Sequence, residues 1–134
     1  MRLISFLKGL WSKRLPEEPS DRSVGDWGER EAALHLRRCG YRIVSRNWRL
    51  RMGEIDIIAQ KGDDTIFVEV KSGAKPSAIG PECRVGTRKQ KKLRALAQAY
   101  LKGARDKNNS IRFDVISVWR EENETKIKHI ENAF

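Results

Sequence analysis

An α/β domain is the architecture this chain predicts, and three observations carry that expectation. Two stretches, 23–39 and 87–103, show helical apolar periodicity behind capping signals. Two β-rich runs flank a turn between Glu54 and Lys71, which is a hairpin pattern. Further strand patterns lie before it, at 41–49, and after the second helix, at 111–119. With 134 residues the chain suffices for one domain with a real core and is too short for two ordinary ones.

Composition narrows the function. Apolar residues make up 39% and charged residues 34%, and no apolar run approaches the roughly 20 residues of a membrane span, so nothing is expected to cross a bilayer. Cys39 and Cys83 fit no spacing motif, and with His35 and His129 the only histidines, no zinc site is read from the sequence; the cysteines read as ordinary thiols of a reducing, cytoplasmic setting. Lys and Arg number 28 against 18 Asp and Glu, a net charge of +10 that favours a polyanionic partner, nucleic acid first.

In chain order, Leu3, Leu7, Leu10 and Trp11 stand at helical spacing among Arg2, Lys8, Lys13 and Arg14. They predict a short basic amphipathic helix, and Pro16 to Ser20 a linker, so residues 1–20 form an appendage and 21–134 the domain. Lys8 interrupts the apolar stretch, which argues against a signal peptide. Docking on its own domain or a second copy, and attachment to a membrane surface or nucleic acid, both stay open for this helix.

Ser23 and Asp26 resemble a capping box that opens the next helix, and Gly40 marks its end. Ala32, Ala33 and Leu36 form its inward stripe, with Glu29 on the same stripe. A carboxylate there needs a partner, either a neighbouring arginine or the charged site of the hairpin. Tyr41 to Arg49 alternates as a strand leading into that hairpin.

The hairpin has a definite expected register. Pairing Gln60 with Thr65 across a four-residue turn, Lys61 to Asp64, sets Ile58 against Phe67, Asp56 against Glu69 and Glu54 against Lys71. Ile55, Ile57, Ala59, Ile66, Val68 and Val70 then form an apolar face. On the other face two carboxylates have Cβ atoms about 5 Å apart, which destabilises a sheet unless a cation lies between them. Such hard oxygen donors suit Mg2+ or Mn2+, ions usually employed in phosphate chemistry. Lys71 shares that face, placed to orient a water or neutralise phosphate charge, while Glu54 either holds Lys71 or helps bind metal.

Ser72 to Gly86 is rich in breakers and predicts a mobile loop. Thr87 and Gln90 make a second capping box, followed by the stripe Leu93, Leu96, Ala97, Tyr100 and Leu101. Arg88, Lys89, Lys91, Lys92 and Arg94 crowd the first turns, where acids are electrostatically preferred. Together with Lys75 and Arg84 they predict a phosphate-binding surface, the competing reading being a solvated basic face. The strand 111–119 places Phe113, Val115, Ser117 and Trp119 on one side, with Asp114 read as structural. A last strand spans 126–130 after a polar turn at 121–124.

Gly53-Glu54-Ile55-Asp56-Ile57-Ile58-Ala59 followed by Phe67-Val68-Glu69-Val70-Lys71 resembles the D…(D/E)xK core of restriction-endonuclease-like nucleases. With Gly25-x-x-Gly28-Glu29-x-x-Ala32, Gly40-Tyr41, Asn47-Trp48-Arg49 and Arg112-Phe113-Asp114-Val115, the fuller pattern over about residues 24–119 resembles the YraN-like group of bacterial proteins, themselves similar to archaeal Holliday-junction resolvases. The resemblance implies a restriction-endonuclease-like three-layer fold with a central mixed sheet flanked by helices. It implies Asp56 and Glu69 as metal ligands, Lys71 as the catalytic lysine and Glu29 as a contributing helix carboxylate. Ser72-Gly73 departs from the pattern where many relatives carry another basic residue.

The expectation is therefore a Mg2+- or Mn2+-dependent endonuclease acting on DNA phosphodiesters, at branched or structured DNA, for which resolvase-like activity favours a homodimer with two sites. The alternative is a non-catalytic nucleic-acid-binding or scaffolding module on the same fold.

Overall fold

The computed structural model describes residues 21–73, 75, 85–104 and 110–134, with the side chains of 21–23 outside that description. Helix α1 (Asp21–Arg38) is followed by strands β1 (Arg42–Leu50), β2 (Gly53–Lys61) and β3 (Asp64–Gly73). Helix α2 (Thr87–Gly103) and strands β4 (Ser110–Glu121) and β5 (Glu124–Ile130) complete the order. The expected terminal helix and linker, the loop residues 76–84 and the turn 105–109 lie outside the described residues. Among the described residues no helix is long and apolar enough to cross a membrane.

The strands form one sheet in the order β1-β2-β3-β4-β5. Neighbours are antiparallel except β3 and β4, which run parallel from Asp64↔Ser110 to Gly73↔Trp119. Parallel partners cannot be joined by a tight turn, and α2 lies within the crossover that joins these two. The described residues thus form a three-layer α/β fold, a mixed sheet with one of these two helices on each face.

Each face has its own core. Trp27, Ala32, Ala33 and Leu36 of α1 meet Ile57, Ala59, Ile66, Val68, Ile116 and Val118. Leu93, Leu96 and Ala97 of α2 meet Ile58, Phe67, Phe113 and Val115, with Ile55 also in this second cluster. Ile55 was expected beside Ile57; it departs because β2 leaves its ladder with β3 after Ile57. The hairpin face expected to be charged is likewise apolar along Ile58 and Phe67, where α2 covers it. It is polar at its ends, at Gln60 and Thr65 beside the turn and at Asp56 and Glu69.

Local signals resolve unevenly. Gly40, at φ +88°, ends α1 as expected. Tyr41 N–H reaches Leu36 O at 2.9 Å and Gly40 N–H reaches Arg37 O at 3.1 Å, the paired bonds of a Schellman stop. Ser23 is not the cap of α1, because it lies within the helix, which already includes Asp21. Thr87 is likewise a helical residue. Gly86 is the N-cap of α2 without a side-chain cap bond, and Gln90 donates to Val85 O at 2.7 Å. Both hairpin turns are two residues shorter than expected. Lys61↔Asp64 and Glu121↔Glu124 pair across two-residue turns. Left-handed backbone at Gly62 in the first, and at Glu122 and Asn123 in the second, matches the strand twist.

Asp114 is fully buried on the α1 face and holds the C-terminal hairpin. Arg112 grips both its oxygens at 2.8 Å, His129 Nε2 meets Oδ2 at 2.7 Å, and Asn132 N–H reaches Oδ1 at 3.0 Å. Burial alone would raise its pKa, but the His129, Arg112 and Asn132 bonds outweigh it and hold the carboxyl at about 2. Since the folded pKa lies below the unfolded one, the ionised form stabilises the fold by on the order of 2 kcal/mol. That contribution is complete above about pH 4 and vanishes as pH falls toward about 2. Urea unfolding followed by circular dichroism should therefore show a steep loss of stability across this window, and a shallower one in Asp114→Asn, which should also be about 3 kcal/mol less stable at neutral pH because Arg112 loses its counter-charge.

Gly28 sets how closely α1 lies on β3. A Cβ there would stand 1.7 Å from Ser72 Oγ and 2.6 Å from Ser72 Cβ. Gly28→Ala, which would favour an isolated helix, should here cost about 1–3 kcal/mol by overpacking. Adding Ser72→Gly should restore most of the lost melting temperature.

Candidate functional site

The β2–β3 ladder runs from Lys61↔Asp64 to Ile57↔Val68 in the expected register and stops one pair short of Asp56 and Glu69. These two acids are therefore not ladder partners. Asp56 instead turns its carboxylate to β3, where Oδ2 accepts the N–H of Val70 at 2.8 Å. Both side chains are buried, Asp56 at 9% exposure and Glu69 at 8%.

Two more carboxylates join from neighbouring elements. Glu29 comes from α1, the helix on the opposite face, and meets Asp56 where the strands no longer pair. Glu29, Glu54 and Asp56 each offer an oxygen within 4.8 Å of the others. Glu54 is held from β1: Arg49, its partner in the β1–β2 register, donates Nε to it at 2.7 Å. The expected opposition of Glu54 to Lys71 does not occur in the ladder, which has already ended. Lys71 follows Glu69 by two residues on β3 and so keeps the same side of the strand.

The electrostatics record the crowding. Burial pushes Asp56 well above the carboxylate range, and the Glu69 charge adds to it; the Val70 N–H opposes the rise, while Glu29 and Glu54 add further repulsion. Glu29 is also raised, first by burial and then by Glu54, against a hydrogen bond from Asn47 and the charge of Arg46. Asn47 occupies left-handed backbone at φ +53°, a conformation asparagine tolerates better than most residues. Sequence reasoning missed Asn47 and Arg49 as the partners of Glu29 and Glu54. An asparagine inside a strand pattern was the available signal for the first.

Glu69 is bonded to Lys89, from the first turn of α2. An expected phosphate-binding lysine thus supplies a buried acid with its counter-charge. A pocket of about 250 Å³ opens here, lined by Glu54, Asp56, Glu69, Lys89 and Lys92. Gly53 keeps it narrow, since a Cβ there would meet Lys92 Cε at 2.7 Å. Arg88, Lys91 and Lys92 are exposed on α2. Lys75 lies against Glu121 at 2.9 Å, and Arg84 is outside the described residues.

The donor set fits a hard divalent cation. Its ligands are carboxylate oxygens, the donors that small, hard ions prefer, and the raised Asp56, pushed up first by burial and then by the Glu69 charge, shows that the ionised form of this acid lacks sufficient compensation within the protein.

Comparison with known proteins places the chain among relatives. A family model described as "Uncharacterised protein family UPF0102" matches residues 28–118, a span containing Glu29, the whole hairpin and Asp114. A UPF0102 protein of Syntrophomonas wolfei is 42% identical over 114 residues, covering 85% of this chain and 99% of the relative. One from Clostridioides difficile is 42% identical over 115 residues, covering 86% and 99%, and one from Parafrankia is 45% identical over 114, covering 83% and 95%. The chain belongs to the uncharacterised protein family UPF0102.

Proposed function

We propose that this protein is a Mg2+- or Mn2+-dependent endonuclease that hydrolyses DNA phosphodiester bonds. The observation that carries the reading is Asp56, a buried carboxylate hydrogen-bonded in place and surrounded by three others. A fold retains such repulsion at a cost in stability, and a bound cation removes it.

Glu29, Glu54 and Asp56 would hold the ion, joined by Glu69 once Lys89 releases it. A divalent cation there supplies polarisation of the scissile phosphate and a lowered pKa for a bound water. Lys71, on the side of β3 that carries Glu69, positions the attacking water and offsets charge on the phosphate. Glu29, whose carboxylate Asn47 fixes, would also orient that water. Lys89 then moves from Glu69 to the substrate, joining Arg88, Lys91 and Lys92 on flanking phosphates, with Lys75 and Arg84 extending the surface. The net charge of +10 supports a polyanionic substrate.

Incubation with linear, nicked and four-way-junction DNA tests the activity. Cleavage should require Mg2+ or Mn2+ and fall at least about 100-fold in Asp56→Asn and in Lys71→Ala. Salt-sensitive binding without cleavage, or equal cleavage by Asp56→Asn, would leave a nucleic-acid-binding module in its place.

Stability offers a second check. Because Asp56 has a folded pKa above its unfolded one, the folded state retains a proton that the unfolded state has lost. In chelator, this residue should make the melting temperature fall as pH rises from about 4 through neutrality. Mn2+ should reverse that fall, and Asp56→Asn should flatten the pH trend and abolish the Mn2+ effect.

A further inference from the structure

On the α2 side of the sheet the apolar core stops partway along β4. Leu93, Leu96 and Ala97 of α2 pack with Phe67, Phe113 and Val115, Phe134 stacks on Phe113 with ring centroids 5.0 Å apart, and among the described residues nothing later in β4 belongs to that core. Side chains alternate along a strand, so Ser117 and Trp119 share the face of Phe113 and Val115. The registers with β3 and β5 set their neighbours. One row across the sheet is Glu69, Val115 and Ile130, the next is Lys71, Ser117 and Lys128, and the last is Gly73, Trp119 and Lys126. Each row lies about 7 Å beyond the one before, leading away from the carboxylates.

The last two rows have the relief and the charge of a basic groove. Ser117 is small and only 3% exposed, and a long lysine stands on each side of it, on strands about 10 Å apart. Trp119 is partly exposed. Its Nε1 donates to Glu121 at 3.3 Å, and Gly73 beside it has no side chain to lie against the ring. Among the described residues no other ring or cation is stacked on it. The acids at the far end are already engaged, Glu121 with Lys75 at 2.9 Å and Glu124 with Lys126 at 3.0 Å. Lys128 has no ion pair with a described residue, so the surplus charge of the groove is positive.

Given the reading of the carboxylate site as one that acts on DNA phosphodiesters, on which this step rests, we propose that the groove holds one unpaired DNA strand where it leaves that site. A base stacks on Trp119, and phosphates lie against Lys126 and Lys128. Lysines alone bind any polyanion, but an aromatic side chain among them favours bases that are not already paired and stacked. A duplex keeps its bases inside and offers such a surface only its backbone. Lys89 and Lys92 of α2 line the carboxylate pocket on its other flank, so a strand that crosses the site meets cations on both sides of it. Lys71 stands at the junction, in the first row past Glu69.

Fluorescence anisotropy of a labelled single strand and of the matching blunt duplex tests the groove, with the full chain in chelator so that binding is read apart from cleavage. Trp119→Leu should weaken single-strand binding at least about fivefold and leave duplex binding nearly unchanged, and Trp119→Phe should keep most of the affinity. Lys128→Gln, which leaves the core intact, should lower the slope of log affinity against log salt by about 0.7, the share of one single-strand phosphate. Lys102→Gln, at the far end of α2, should not change that slope. Unchanged single-strand affinity in Trp119→Leu together with an unchanged slope in Lys128→Gln would overturn the groove alone, whatever the protein cleaves. Loss of self-association in Trp119→Leu with strand binding intact would overturn it in favour of a contact with a second copy. Strand binding that follows these variants in a protein that cleaves no DNA would keep the groove and remove the endonuclease reading.

Discussion

The hydrogen bond from the Val70 amide to the Asp56 carboxylate, 2.8 Å long, stands where β2 and β3 have stopped pairing. It satisfies a backbone donor that the ladder has released, and it anchors a polar side chain that would otherwise favour solvent. Because the strands part after Ile57 and Val68, there is room at that end for a carboxylate from a helix on the opposite face. Because Asp56 is buried, each carboxylate that gathers there raises the energy of ionising the next. The polar end of the sheet is thus a consequence of ending one ladder early.

The two helices make unequal contributions to that end. The close approach of α1, set by Gly28 against Ser72, delivers Glu29 from the residue that follows the glycine. The other helix begins with a bare glycine cap and no acid in its first turn, and its third residue, Lys89, is the counter-charge of Glu69. A lysine at a helix N-terminus is electrostatically disfavoured. Its position next to a buried carboxylate offsets that cost, so the basic start of the helix and the acidic end of the sheet account for one another.

Much of this was legible in the sequence because it rests on period and register. Alternation placed the hairpin, and Gln60 against Thr65 fixed Ile58 against Phe67 correctly. Helical spacing put Glu29 on the buried stripe with Ala32 and Leu36. What was not legible depends on where a ladder ends and on contacts between distant elements. No local pattern says that β2 leaves β3 after Ile57, and on that step turn the separation of Asp56 from Glu69 and the shift of Ile55 into the second core. Nor does spacing reveal that Arg49, rather than Lys71, lies across from Glu54. Both short turns were misjudged because Lys61, Asp64, Glu121 and Glu124 are polar, and polar residues at an exposed strand end look like turn residues.

Asp114 illustrates a different limit. As a lone acid in an apolar strand it reads as structural, and the bonds from Arg112, His129 and Asn132 give that reading its mechanism. Its consequence reaches past stability, since an acceptor on one side of His129 commits the other ring nitrogen to face His35. The sheet then holds buried acid in two different ways: around Asp114 cationic and N–H donors keep the ionised form, whereas around Asp56 burial and neighbouring carboxylates keep the proton.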